Sequence, residues 1–116
     1  MKKKNKKSVL RKKKEFRYHN ISTINKCDNN RLIRHPAYVF YEKGNIFIYV
    51  SITHSSKVDN VVLIKLRKNP NPKDKNDSFW IAEVKEDTKD RFGRRLLDWN
   101  LDEKDDLDIR NKYKKR

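Results

Sequence analysis

Apolar positions in this chain fall into a few short runs separated by long polar stretches. Ala37 to Tyr41 and Ile46 to Ile52 are rich in Val, Ile, Tyr and Phe and flank Glu42-Lys43-Gly44-Asn45. Gly44 supplies the positive φ a short loop needs, so the pattern predicts a β-hairpin. Ile46-Phe47-Ile48-Tyr49-Val50 is apolar without alternation, which predicts a strand covered on both faces. Asn60 to Leu66 predicts a third strand, with Val62, Ile64 and Leu66 on one face and Val61, Leu63 and Lys65 on the other. Pro70 and Pro72 mark Lys68 to Asp74 as an extended loop, since each restricts the residue before it and lacks an N–H donor. Ser78 to Val84 predicts a fourth strand, on which Glu83 interrupts an otherwise apolar face.

After the punctuation of Arg91-Phe92-Gly93-Arg94-Arg95, the signals change to those of a helix from about Asp102 to Tyr113. Asp102 can cap it, Glu103, Asp105 and Asp106 suit the positive end of its dipole, and Arg110, Lys112, Lys114 and Lys115 suit the negative end. Short antiparallel strands closed by one helix predict a mainly β domain, a small barrel or half-barrel over residues 34–116. Met1 to Lys14 has almost nothing to bury and reads as a basic disordered arm, with residues 15–33 as a connecting segment carrying Phe16, Tyr18, Ile21 and Ile24 as anchors.

Charge sharpens this division. The 116 residues carry 31 Lys and Arg against 16 Asp and Glu, a formal charge of +15. Residues 1–34 alone hold +11 of it. Such a chain repels itself unless a polyanion is close, which makes nucleic acid the leading partner. Lys2, Lys3, Lys4, Lys6, Lys7, Arg11, Lys12, Lys13, Lys14 and Arg17 are the expected phosphate contacts. The longest apolar run is far short of a membrane span and no apolar segment of signal type follows the basic start, so a soluble cytoplasmic protein is expected. One cysteine, Cys27, excludes an internal disulfide and a Cys-based zinc site. No metal or cofactor is expected.

Arg34-His35 enters the first strand of the expected hairpin and Thr53-His54 leaves the second, so antiparallel pairing brings them to one end of the sheet. Metal-free RNA cleavage needs a base for the 2′-OH, an acid for the leaving oxygen and a cation for the phosphorane charge. Those residue types are present there. The ordinary alternative is that one histidine caps a strand end and the other lies in solvent.

The order of motifs resembles the PemK/MazF-like toxin endoribonucleases. Arg34-His35-Pro36-Ala37-Tyr38-Val39 is similar to the family's R-P-x-x-V opening, Ile52-Thr53-His54-Ser55 to its strand-ending I-T-[ST], and Val61 to Leu66 to its V-x-[IL] strand. Asp77 to Val84 followed by Asp87 to Arg91 resembles its later acidic strand, although Lys85 to Asp87 do not reproduce that strand's Q-x-R. A histidine stands between Arg34 and Pro36, and the usual Gly-rich lead is missing. The resemblance implies an SH3-like antiparallel barrel with a C-terminal helix. It implies Arg34 as the phosphate-stabilising arginine, Thr53 as the strand-end threonine and Glu83 as the acidic strand residue, beside His35 and His54. It also implies a homodimer held by an antitoxin protein and acting on single-stranded RNA. A noncatalytic nucleic-acid-binding protein, or an inhibitor of a nucleic-acid enzyme from a plasmid, phage or mobile element, is the alternative reading.

Overall fold

The computed structural model describes residues 9–23 and 31–115. Seven antiparallel strands precede one helix: β1 Leu10–Thr23, β2 Arg31–Lys43, β3 Ile46–Thr53, β4 Leu63–Lys65, β5 Phe79–Ile81, β6 Lys85–Thr88, β7 Phe92–Arg95 and α1 Glu103–Lys114. A 3-10 turn, Lys89–Arg91, joins β6 to β7. The mainly β class with a C-terminal helix is as the pattern predicted.

The β2–β3 hairpin turns through Gly44 and Asn45, with Lys43 opposite Ile46 and Gly44 at φ 58. A positive φ at the first central position is what a two-residue loop of primed type needs there. The two predicted outer strands form but shrink to Leu63–Lys65 and Phe79–Ile81, while Lys85–Thr88 and Phe92–Arg95 add two strands that their polar sequences had concealed.

The largest correction lies at the start. Leu10 to Thr23 is a single strand, paired with β2 from Leu10↔Lys43 to Thr23↔Arg31. Residues 10–14 are therefore sheet rather than disordered arm. Residues 15–23 and 31–33 are paired strand rather than connector. The rest of the expected arm, residues 1–8, lies outside the described residues. A lysine-rich segment can hold this ladder because its backbone supplies the bonds, while Lys13 and Arg17 find carboxylates: Lys13 Nζ lies 3.2 Å from Glu15 and 3.1 Å from Glu42, and Arg17 Nε 3.0 Å from Glu15.

The hydrogen-bonded path runs β4-β5-β3-β2-β1-β7, with β6 beside β5 along the same edge of β3. Among the described residues no ladder joins β7 back to β6, so the pairing is that of an open sheet, not a closed barrel. It is nevertheless strongly curled. In a flat sheet β6 and β7 would stand four strand spacings apart, about 19 Å at the usual ~4.8 Å spacing. The chain crosses between them in a 3-10 turn of three residues, which rises only about 6 Å.

Curling gives the sheet two buried faces. One holds Phe16, Tyr38, Phe40, Ile48, Val50, Ile52, Leu66 and Trp80, covered by Ile109 of α1. The concave face holds Ala37, Val39, Phe47, Tyr49 and Phe92. The unbroken apolar run of β3 thus reflects a strand covered on both sides: Phe47 and Tyr49 face inward, Ile48, Val50 and Ile52 toward the helix.

α1 is held by polar as well as apolar contacts. Asp102 caps it, accepting from the N–H of Lys104 at 2.8 Å and of Asp105 at 3.3 Å. Tyr38 donates its hydroxyl to Asp106 Oδ1 at 2.5 Å, and Arg110 Nε donates to Asp106 Oδ2 at 2.9 Å. The other two Arg110 nitrogens donate to the carbonyls of Phe40, at 2.7 Å, and Lys13, at 2.6 Å. One guanidinium therefore ties the helix to both β2 and β1. Burial and the adjoining Asp106 carboxylate push the Tyr38 phenol upward.

Candidate nucleic-acid interface

The cations expected to contact phosphate divide into two sets according to strand geometry. Side chains alternate across a strand, and beyond the irregularity between Lys12 and Glu15 the odd positions of β1 turn inward. Glu15 and His19 are buried there, and the half-buried Arg17 stretches across the Phe47 ring at 5.4 Å to donate to the Gly93 carbonyl at 3.0 Å. Lys89 approaches the same ring at 5.4 Å and reaches Glu42 at 2.6 Å. The carboxylate hydrogen bonds of Glu42 and then Glu15 raise the Lys13 ammonium above its ordinary value. Lys13 and Arg17 are thus half-buried members of an ion network with Glu15 and Glu42.

Arg11, Lys12 and Lys14 are exposed and have no ion-pair partner among the described residues. Two cations that sequence reasoning missed join them: Arg94 and Arg95 on β7, both exposed, with Arg95 opposite Arg17 in register. Their signal was present in the dipeptide itself, but nothing in it showed that it would form the edge strand beside β1. Several other surface cations sit beside carboxylates. Lys65 meets Asp77, Arg67 meets Asp105 and Asp108, Lys85 meets Glu83, and Arg91 meets Asp87.

The expected hairpin-end cluster separates. β2 and β3 pair as far as Ala37↔Ser51. Among the described residues no β2–β3 pair is formed beyond it, and Arg34 and His35, as neighbours on β2, point to opposite faces of the sheet. His35 also stands opposite His19, and Arg34 opposite Asn20, on the ribbon where β1 and β2 outrun β3. Arg34, His35 and His54 are exposed. Thr53 is half-buried and its Oγ1 accepts from the N–H of Ser55 at 3.1 Å, a turn-stabilising bond. Glu83 is exposed beyond β5, 3.7 Å from Lys85.

The polar cluster that the structure does assemble is a different one. His19 Nε2 lies 2.8 Å from Asp87 Oδ2, and the Tyr49 hydroxyl 3.4 Å from His19 Nδ1. The imidazole sits between the rings of Tyr49 and Phe92, at 4.8 and 4.7 Å. Burial alone would raise the Asp87 carboxyl, but bonds from His19 and the Thr88 N–H, with the Arg91 charge, bring it below its ordinary value. Burial, reinforced by Asp87 and Glu83, pushes the Tyr49 phenol to about 12. His19 and Tyr49 are only 7% and 3% exposed, so this cluster braces β1 against β6 and presents little to a ligand.

No group of three or more His, Cys, Asp or Glu suited to a metal occurs among the described residues, and no helix among them is long and apolar enough to cross a membrane. Comparison with protein-family models, curated proteins and solved structures finds no match.

Proposed function

We propose that this protein binds nucleic acid, with single-stranded RNA favoured, through the outer cations of β1 and β7 together with the lysines of residues 1–8. The observation that carries this reading is the pairing state of the cations. Arg11, Lys12, Lys14, Arg94 and Arg95 are exposed, have no ion-pair partner among the described residues and stand on adjoining strands. Phosphates at these positions would release counterions without costing any internal ion pair. The experiment is an affinity titration of single-stranded RNA between 50 and 200 mM salt, expected to show a fall in affinity of about tenfold or more for several phosphate contacts. Salt-independent affinity, or no binding, would overturn the reading.

A second reading, metal-independent RNA cleavage of the PemK/MazF type, draws support from one observation. His35 on β2 stands opposite His19 on β1, so two imidazoles share one strand row. Discrete fragments from an RNA pool in EDTA, lost in His35→Ala, are the expected result. Intact RNA with the wild-type protein excludes this reading and leaves the binding one standing.

A further inference from the structure

Where α1 ends over the β2–β3 turn it leaves a pocket of about 280 Å³ lined by Lys43, Asn45, Ile46, Ile48, Glu86 and Tyr113. Ile48 is the buried floor and Ile46 is half-buried. The Tyr113 ring forms one wall, braced edge-on against Phe40 at 5.9 Å and tilted against Tyr41 at 5.0 Å. A braced aromatic wall over an aliphatic floor is a stacking platform of the kind that takes unpaired bases. The surroundings are cationic: Lys43 is on the rim, Lys112 and Lys114 flank Tyr113, and β1 begins opposite Lys43 at Leu10.

Resting on the nucleic-acid reading above, we infer that this pocket receives one unpaired base of a single strand, stacked on Tyr113, with an adjoining phosphate on Lys43. The Glu86 carboxylate in the lining disfavours a phosphate inside the pocket and suits an uncharged base, while the Asn45 amide can both donate to and accept from a base edge. The larger cleft, about 350 Å³ between β4 and the 67–78 loop, mixes cations with Asp74 and Asp77 and has no aromatic residue in its lining. It has no such platform.

The test compares one mixed-sequence RNA ten-mer, single-stranded and annealed to its complement, by fluorescence anisotropy. Tyr113→Ala is expected to weaken single-strand binding about 5- to 150-fold, the worth of one stacked base, and to leave duplex binding unchanged. Since Tyr113 also packs on Phe40 and Tyr41, Tyr113→Leu keeps an apolar side chain there without the π face and is expected to lose single-strand affinity likewise. Tyr113→Trp is expected to retain it, with added indole fluorescence that the RNA quenches. Wild-type single-strand affinity in Tyr113→Leu, or equal losses on single strand and duplex, would overturn the pocket while leaving nucleic-acid binding intact. Absence of binding by the wild-type protein to either RNA would overturn both.

Discussion

His19 on β1 and Asp87 on β6 are joined at 2.8 Å although two strands, β2 and β3, lie between theirs in the sheet. Only a curled sheet permits this contact, and the bond fastens the curl from within. Asp87→Ala would leave a buried imidazole without its partner and is expected to lower stability by about 1–3 kcal/mol, measured by urea unfolding. The Asp87 carboxyl is depressed below its ordinary 3.8. Its contribution is therefore complete above that value and disappears as pH falls through the lower folded one. Asp87→Asn should flatten this acid limb, and a limb as steep as in wild type would count against the assignment.

The Arg110 guanidinium is buried and has a single carboxylate partner among the described residues, Asp106. Asp106→Ala is expected to cost about 3–5 kcal/mol, because it strands a buried charge. Replacing both residues with leucine and methionine should recover much of that loss. A double variant no more stable than the single one would show that the carbonyl bonds to Phe40 and Lys13 and the bond Asp106 accepts from Tyr38, rather than the ion pair, hold the helix.

Lys13 and Arg94 are both basic and close in charge environment by sequence, yet opposite effects are expected from them. Lys13→Ala should lower the melting temperature, since it removes the cation between Glu15 and Glu42. Arg94→Ala, at an exposed position without an ion-pair partner among the described residues, should leave melting unchanged. It should weaken RNA binding and reduce the salt slope by about 0.7 for one lost contact. Equal affinity losses in the two variants would remove the distinction between internal and external cations.

Deleting residues 1–8 is expected to weaken RNA binding without changing the unfolding transition. Deleting residues 1–14 should also destabilise the protein, because it removes the Lys13 carbonyl that accepts from Arg110 and the β1 residues paired with Lys43, Glu42 and Tyr41. Identical unfolding curves for the two truncations would contradict the strand assignment of β1.

Phe47 is 6% exposed on the concave face, between the Arg17 and Lys89 cations and against Phe92. Phe47→Ala is expected to cost about 3–5 kcal/mol in chemical unfolding. A loss below about 1 kcal/mol would mean that the concave face closes over the cavity with little strain.

Local chemistry made part of this protein legible from sequence alone. Gly44 and the apolar runs beside it determined the β2–β3 hairpin, and the continuous apolarity of β3 announced burial on both faces. Asp102 and the charge gradient behind it located α1 to within a residue. Each of these signals acts within a few residues and needs no distant partner.

β1, β6 and β7 were not legible because their stability is not local. Their polar side chains carry no strand period, and their backbone groups are satisfied only when β2, β3 and β1 bring partner strands alongside. The same holds for the charges. Sequence counted Lys13 and Arg17 with Arg11, Lys12 and Lys14, and only the curl of the sheet decided which of them meet carboxylates inside and which face solvent. Alternation along β2 set Arg34 and His35 on opposite faces, and the curl brought His19 to Asp87 across 68 positions of chain. Sequence determined the hairpin, the helix and the sign of the charge; which cations remain available to a ligand depended on long-range strand pairing.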